Sequence, residues 1–139
     1  MQSIYTAAAT STGDGRSGHV RSVDGLVDTD LAAPTEFGGP GGAPNPEVFF
    51  AAGYAACFHS ALKAAGKQLD IPIEDSAVTA EVSIGEREGG FELAVVLNVE
   101  LGGISREDAQ KAAELAHTIC PYSHATQGNI DVQLTVDVA

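Results

Sequence analysis

From Val48 to Phe58 the chain reads Val-Phe-Phe-Ala-Ala-Gly-Tyr-Ala-Ala-Cys-Phe, and no charge appears before Lys63. Asn45-Pro46-Glu47 directly precedes this run and carries three helix-start signals. Asn can cap the first turn, Pro has its φ already set for the first helical position, and Glu suits the positive end of the helix dipole. The pattern predicts one helix running to about Leu69. A helix that is apolar all round needs cover on every side. A chain of 139 residues and 14.2 kDa can scarcely supply all of that cover alone. A second copy is the simplest cover, and the alanines would let helices approach closely, so we expect a homodimer.

The remaining periodicities predict strands around this helix. Tyr5–Ser11 and Gly18–Ala33 hold short apolar runs broken by Gly13, Gly15, Gly18 and Gly25, which reads as two or three antiparallel strands. Phe37-Gly38-Gly39-Pro40-Gly41-Gly42-Ala43-Pro44 suits no helix or strand interior and reads as a loop. It lacks the Gly-Lys-Ser/Thr ending of a phosphate-binding loop. Val78–Glu86 and Phe91–Leu101 flank Arg87-Glu88-Gly89-Gly90, with Phe91, Leu93, Val95, Leu97, Val99 and Leu101 alternating as one buried face of a hairpin. Ser105 opens a second helix that Pro121 stops, and Val132, Leu134, Val136 and Val138 alternate along a last strand. Clustered strands of this kind predict an α+β fold, a single domain over residues 1–139, with antiparallel sheets packed on long apolar helices.

Composition excludes several function classes. Seven Lys+Arg face 19 Asp+Glu, a net charge of −12, so there is little to replace the counterions of a nucleic acid or an anionic membrane. Neither is expected as a partner. The opening Met1-Gln2-Ser3-Ile4-Tyr5 has no basic segment followed by an apolar one, and no run approaches ~18 consecutive apolar residues, so a cytoplasmic protein is expected.

Two cysteines, Cys57 and Cys120, are too few for a disulfide scaffold. Cys57 lies in a small, apolar helix, where a thiol packs like a hydrophobe. Cys120 lies where a helix meets Pro121, a position expected to be partly accessible. Such a pair suggests an attacking and a resolving thiol. A thiolate needs a cation or a helix N-terminus, because apolar burial alone raises its pKa. Arg16, in the loop Gly13-Asp14-Gly15-Arg16-Ser17-Gly18, is free to reach a site, and Arg21 competes with it. Glu47 could fix an arginine's fork, or serve only the helix dipole. The rival constellation is zinc: His117, Cys120 and His124, with Cys57 and His59 as completers, in a non-enzymatic or structural dimer. That spacing straddles a helix end and matches no closed zinc pattern, and no Gly-x-Ser-x-Gly elbow supports a serine triad.

Gly38-Gly39-Pro40-Gly41-Gly42, the run Asn45–Phe58, Cys120-Pro121-Tyr122-Ser123 and Gly128-Asn129-Ile130-Asp131-Val132, in that order, resemble the motifs of the organic hydroperoxide resistance branch of the Ohr/OsmC family. The resemblance runs from Tyr5-Thr6-Ala7 to the last strand. It implies an antioxidant enzyme of the oxidative stress response, a thiol peroxidase for organic hydroperoxides, built as an intertwined α+β homodimer. Carried over residue by residue, Cys57 matches the peroxidatic cysteine, Cys120 the resolving one, Arg16 the arginine contacting the reactive sulfur, and Glu47 the glutamate pairing with that arginine. The implied reductant is a dihydrolipoyl dithiol on a lipoylated partner protein, with no bound cofactor or metal. His124 and Gln127 stand where the family usually has Asn and Arg. Phe49, Phe50, Tyr54 and Phe58 are candidates to line an apolar substrate pocket, although aromatics at helical spacing are usually core. Because Glu47 and Cys57 are ten residues apart, on a straight helix they sit ~15 Å apart along its axis. Either Arg16 spans that gap or the helix bends at Gly53, which would bring a fresh helix N-terminus to Cys57.

Overall fold

A computed structural model describes residues Met1–Ala139 and divides the chain into two compact units, Met1–Phe49 and Phe50–Ala139. In the first, β1 (Ala9–Thr12), β2 (His19–Ser22) and β3 (Asp28–Asp30) form an antiparallel sheet in that order, as the punctuated runs predict. Arg16 sits on a short 3-10 turn, Gly15–Ser17, between β1 and β2. The turn needs its glycines: Gly13 and Gly15 take φ of 76° and 61°, and a Cβ at Gly18 would overlap the Thr12 carbonyl. Two backbone bonds then carry the chain to the start of the long helix. The Leu31 N–H donates to the Gly18 carbonyl at 2.8 Å, and the Ala32 N–H donates to the Pro44 carbonyl at 3.1 Å. The Arg16 turn and the residues before Glu47 are thereby bound to neighbouring points of one strand end.

Helix α1 (Pro46–Gln68) starts as predicted, with the Val48 N–H donating to Asn45 Oδ1 at 3.0 Å. It runs unbroken through Gly53, so no new helix N-terminus arises near Cys57. Gly53 serves contact instead: a Cβ there would lie 3.0 Å from the Tyr122 hydroxyl and 3.2 Å from its ring. The helix is not covered on every side within one chain. Tyr54, Phe58, Ala61, Leu62 and Ala65 are buried, whereas Val48, Ala52, Ala56 and Ser60, at intervals of four, form an exposed stripe. By length and mean hydropathy α1 could cross a bilayer, but its inner face is the centre of the core.

In the second unit β4 (Asp75–Arg87) and β5 (Gly90–Gly102) make a long hairpin closed by Glu88-Gly89, where Gly89 takes φ 84°. Helix α2 (Arg106–Ile119) follows, capped by Ser105, whose Oγ accepts the Asp108 N–H at 3.1 Å. Pro121 ends α2 as expected and also opens a further short helix, α3 (Pro121–Thr126). Proline fits the first position of a helix as well as it ends one, and the sequence reading missed α3 for that reason. The last strand, β6 (Asp131–Val138), pairs with β5 in parallel, so this sheet is mixed rather than antiparallel. The α2–α3 segment is the crossover that parallel neighbours require.

The core rows line up across the sheet. Ala80, Leu97 and Leu134 share one register row, and Val78, Val99 and Val136 the next but one. Against Val95, Leu97, Val99 and Leu101 pack the α1 face and a small-residue stripe of α2, Ala109, Ala112, Ala113 and Ala116. Phe91 belongs to the same alternation but lies near the hairpin tip and is 64% exposed. Leu97→Ala should therefore cost about 2–5 kcal/mol in a urea titration, and Phe91→Ala no more than about 0.5 kcal/mol, despite their equivalent places in the pattern.

Candidate active site

The two cysteines, 63 residues apart in sequence, meet in the second unit. Their sulfurs are 3.5 Å apart, both are free thiols, and the Cys120 thiol donates to Cys57 Sγ. Cys57 is half-buried on α1, one turn beyond Gly53. Cys120 is the extended residue between α2 and α3, with φ −62° and ψ 121°. Its side chain is fully buried in the core cluster, which corrects the expectation that a helix end before proline would be partly accessible.

Burial pushes the Cys57 thiol up from its ordinary value, the Tyr122 N–H on the first turn of α3 pulls it down, and Cys120 raises it again. Desolvation leads because a thiolate loses water here, while a single main-chain N–H returns little. Within this unit the thiol pair is thus well placed for sulfur–sulfur chemistry and poorly supplied with positive charge.

The first unit holds the complementary pair. Arg16 Nη1 donates to Glu47 Oε2 at 2.8 Å and Nη2 donates to Oε1 at 2.7 Å, a bidentate fork. The Glu47 side chain is 14% exposed and that of Arg16 is 46% exposed. The hydrogen bonds from Arg16 hold the Glu47 carboxyl below the usual carboxylate range, and those to Glu47 raise Arg16 further. The competing Arg21 pairs with Asp28 at 3.5 Å on the sheet, so the fork on Glu47 belongs to Arg16.

The aromatic candidates separate. Tyr54 and Phe58 have no exposed surface and are core. Phe49 and Phe50 are partly exposed, and Phe50 reaches a cleft of about 400 Å³ that is also lined by Arg87, Phe91, Leu93 and Ile130. Phe50, Tyr54 and Tyr122 form a ring cluster with centroids 5.8–6.4 Å apart. Tyr122 is the site residue that reasoning on the sequence missed. Its signal was present in Cys120-Pro121-Tyr122-Ser123, but the role depends on its main-chain N–H and on contact with Gly53. No three His, Cys, Asp or Glu side chains gather in a group able to hold a metal ion, and His117 Nδ1 is engaged with Ser123 Oγ at 2.8 Å. The zinc constellation of His117, Cys120 and His124 therefore does not assemble.

Residues 39–135 match the family of OsmC-like proteins. This chain belongs to that family. Over 136 residues the OsmC-like chain is 48% identical to an organic hydroperoxide resistance protein of Xanthomonas axonopodis pv. citri, covering 96% of this chain and 94% of the relative. Organic hydroperoxide resistance protein OhrB of Bacillus subtilis is 44% identical over 133 residues, covering 94% of this chain and 96% of the relative. A crystal structure of an organic hydroperoxide resistance protein from Legionella pneumophila matches with a TM-score of 0.93 and 47% identity, over 99% of this chain and 100% of that one. The organic hydroperoxide resistance branch of the OsmC-like family is thus the one to which this protein belongs, which supports a role in organic hydroperoxide detoxification.

Because its folded pKa is depressed, Glu47 contributes stability that is fully present above its unfolded-state value of about 4.3. That contribution is lost as pH falls through the lower folded value. The stability difference between wild type and Glu47→Gln, measured by urea denaturation from pH 7 to pH 2, should shrink in that acid window, and it should be modest at pH 7 because water screens Arg16.

Proposed function

We propose that this OsmC-like protein is a cysteine-based organic hydroperoxide reductase working through Cys57 and Cys120. The observation that carries the reading is the approach of two free thiols to 3.5 Å at the junction of three helices. In the cycle, the Cys57 thiolate attacks the distal oxygen of an alkyl or lipid-like hydroperoxide. The O–O bond breaks, the alkoxide takes up a proton and leaves as alcohol, and Cys57 becomes a sulfenic acid. The Cys120 sulfur then attacks Cys57 Sγ, water leaves, and a Cys57–Cys120 disulfide forms. A dihydrolipoyl dithiol on a lipoylated partner protein reopens it by exchange, ending as the cyclic lipoyl disulfide.

The difference in burial supports the division of labour. Cys57 is the more accessible sulfur and can meet a peroxide, whereas Cys120 is fully buried and needs only to reach a neighbouring sulfenic acid. The positive charge that the Cys57 surroundings lack is assigned to Arg16, which Glu47 holds by its fork. Phe49 and Phe50 are assigned to the apolar substrate surface. The working form is assigned as an intertwined homodimer, in which a second copy covers the exposed α1 stripe and the exposed apolar residues of the first unit, Ile4, Tyr5, Leu26 and Phe37 among them.

A peroxide-consumption assay with cumene hydroperoxide and hydrogen peroxide, comparing dihydrolipoamide with other dithiols, tests the reading. Cys57→Ser should abolish even the first turnover. Cys120→Ser should consume about one equivalent of hydroperoxide per subunit and then stall, its Cys57 climbing to sulfinic acid in excess peroxide. Wild type should stop at the disulfide until dihydrolipoamide is added, and mass spectrometry distinguishes the three end states.

A separate measurement addresses the counter-charge. Arg16→Ala should raise the Cys57 pKa by about one unit or more, so that alkylation by iodoacetamide at pH 7 slows about tenfold for each unit. An unchanged pH profile of alkylation would remove Arg16 from the mechanism.

A further inference from the structure

Beside the thiol pair lies a buried polar chain that the cycle above does not use. Ser123 Oγ is 2.8 Å from Tyr54 Oη and 2.8 Å from His117 Nδ1, Tyr54 Oη is 3.0 Å from Thr126 Oγ1, and the Thr126 hydroxyl donates to the Ser123 carbonyl at 3.3 Å. Counting hydrogens fixes the direction of every link. Thr126 has one hydroxyl hydrogen, spent on a carbonyl that can only accept, so Thr126 Oγ1 accepts from Tyr54. Tyr54 has then spent its own hydrogen and accepts from Ser123, and Ser123 in turn accepts from a hydrogen on His117 Nδ1. The chain therefore runs from His117 through Ser123 and Tyr54 to Thr126 without a break, and no buried side-chain nitrogen or oxygen is left without a partner.

The placement of these groups relative to the sulfurs is specific. Tyr54 is one helical turn before Cys57 on α1, His117 is three residues before Cys120 on α2, and Ser123 is three residues after Cys120 on α3. One hydroxyl thus joins the three helices that meet at the thiols. Cys120 is the extended residue at the corner: its N–H donates to the Ala116 carbonyl of α2 at 2.9 Å and its carbonyl accepts the His124 N–H of α3 at 3.0 Å, so the backbone bonds fix the main chain and leave the side chain to be placed by its neighbours. Both Tyr54 and Ser123 are fully buried, where the links are shielded from competing water.

We propose that Ser123, held by His117 and Tyr54, is a positioning residue for disulfide closure. It keeps Cys120 Sγ aligned on Cys57 Sγ, so that the sulfenic acid is captured as a disulfide before a second peroxide reaches it. The step it serves is the attack of the Cys120 sulfur on the Cys57 sulfenic sulfur, in which the S–O bond breaks and the hydroxyl leaves as water with the Cys120 proton. The two sulfurs must close from 3.5 Å to a bond of about 2.05 Å. Misalignment at this corner slows that step and leaves the sulfenic acid open to oxidation by a second hydroperoxide, which gives sulfinic acid and alcohol. The inference rests on the redox reading of the cysteine pair.

The test compares wild type, Ser123→Ala, His117→Ala and His117→Asn of the full chain, each mixed with increasing cumene hydroperoxide. Mass spectrometry reads the ratio of Cys57 sulfinic acid to Cys57–Cys120 disulfide, and thermal melting is recorded in parallel. Ser123→Ala and His117→Ala should shift that ratio toward sulfinic acid by about tenfold. His117→Asn should restore it, because the asparagine amide carries a donor in the place of Nδ1–H. A ratio unchanged in both alanine variants overturns the positioning role and leaves the redox pair standing. A ratio in His117→Asn as high as in His117→Ala also overturns it, since packing alone would then explain the loss. His117 is partly exposed, so its variants carry the test if Ser123→Ala does not fold. Wild-type protein that forms no disulfide at all overturns the redox reading itself, and the positioning role with it.

Discussion

Helix α1 has one face that the chain can satisfy and others that it cannot. Tyr54, Phe58, Leu62 and Ala65 follow one another down a single side and are buried against β5 and the alanine stripe of α2. The opposite side has little to hold water: Val48, Ala52 and Ala56 are apolar, Ser60 is the one polar residue of the stripe, and no charge interrupts the helix between Glu47 and Lys63. Burial of a large side chain is worth about 1.5–3 kcal/mol. The inner face therefore sets the order of the second unit, with the β5 rows beneath it and β6 brought alongside in parallel by the α2–α3 crossover.

The same helix creates the chemical difficulty of the site. A cysteine on its flank is desolvated, and desolvation favours the neutral thiol. Reactivity toward a peroxide needs the thiolate, so the environment that forms the fold works against the chemistry proposed for it. Tyr122 offsets part of this through its main-chain N–H, and Gly53 makes room for its ring. Arg16 is the charge proposed to supply the remainder, held in shape by Glu47 rather than left as a flexible surface side chain. The fork uses two of the five guanidinium N–H donors and leaves three for a further partner.

Much of this was legible along the chain. The start of α1, the hairpin, the Ser105 cap and the alternation of β6 each follow from local rules, because capping and face periodicity are set by neighbours in sequence. Local rules failed where one residue type serves two purposes. Pro121 ended one helix and began another, and the glycine at 53, read as a place to bend, proved to be a place of contact. Phe91 kept the period of the buried face, yet lies past the end of the cover that the helices provide. Period tells which side of a strand a residue takes, and not whether anything packs there.

The candidate site divides along the same line. The sequence by itself determined the cast: two cysteines, a glycine-flanked arginine, a glutamate at a helix start, and motifs that mark the family, because residue type and spacing carry that information. Tertiary structure decided the pairings. Arg16 rather than Arg21 forks onto Glu47, because Gly18 and Pro44 are tied to adjacent residues of one strand end. Cys120 is enclosed rather than accessible, because the corner between α2 and α3 turns its side chain into the core cluster. His117 turns to Ser123 instead of joining Cys120 and His124 around a metal. Each of these outcomes depends on distances between segments remote in sequence, which are fixed only when the core closes on α1 and the backbone bonds bring strand ends and helix starts together.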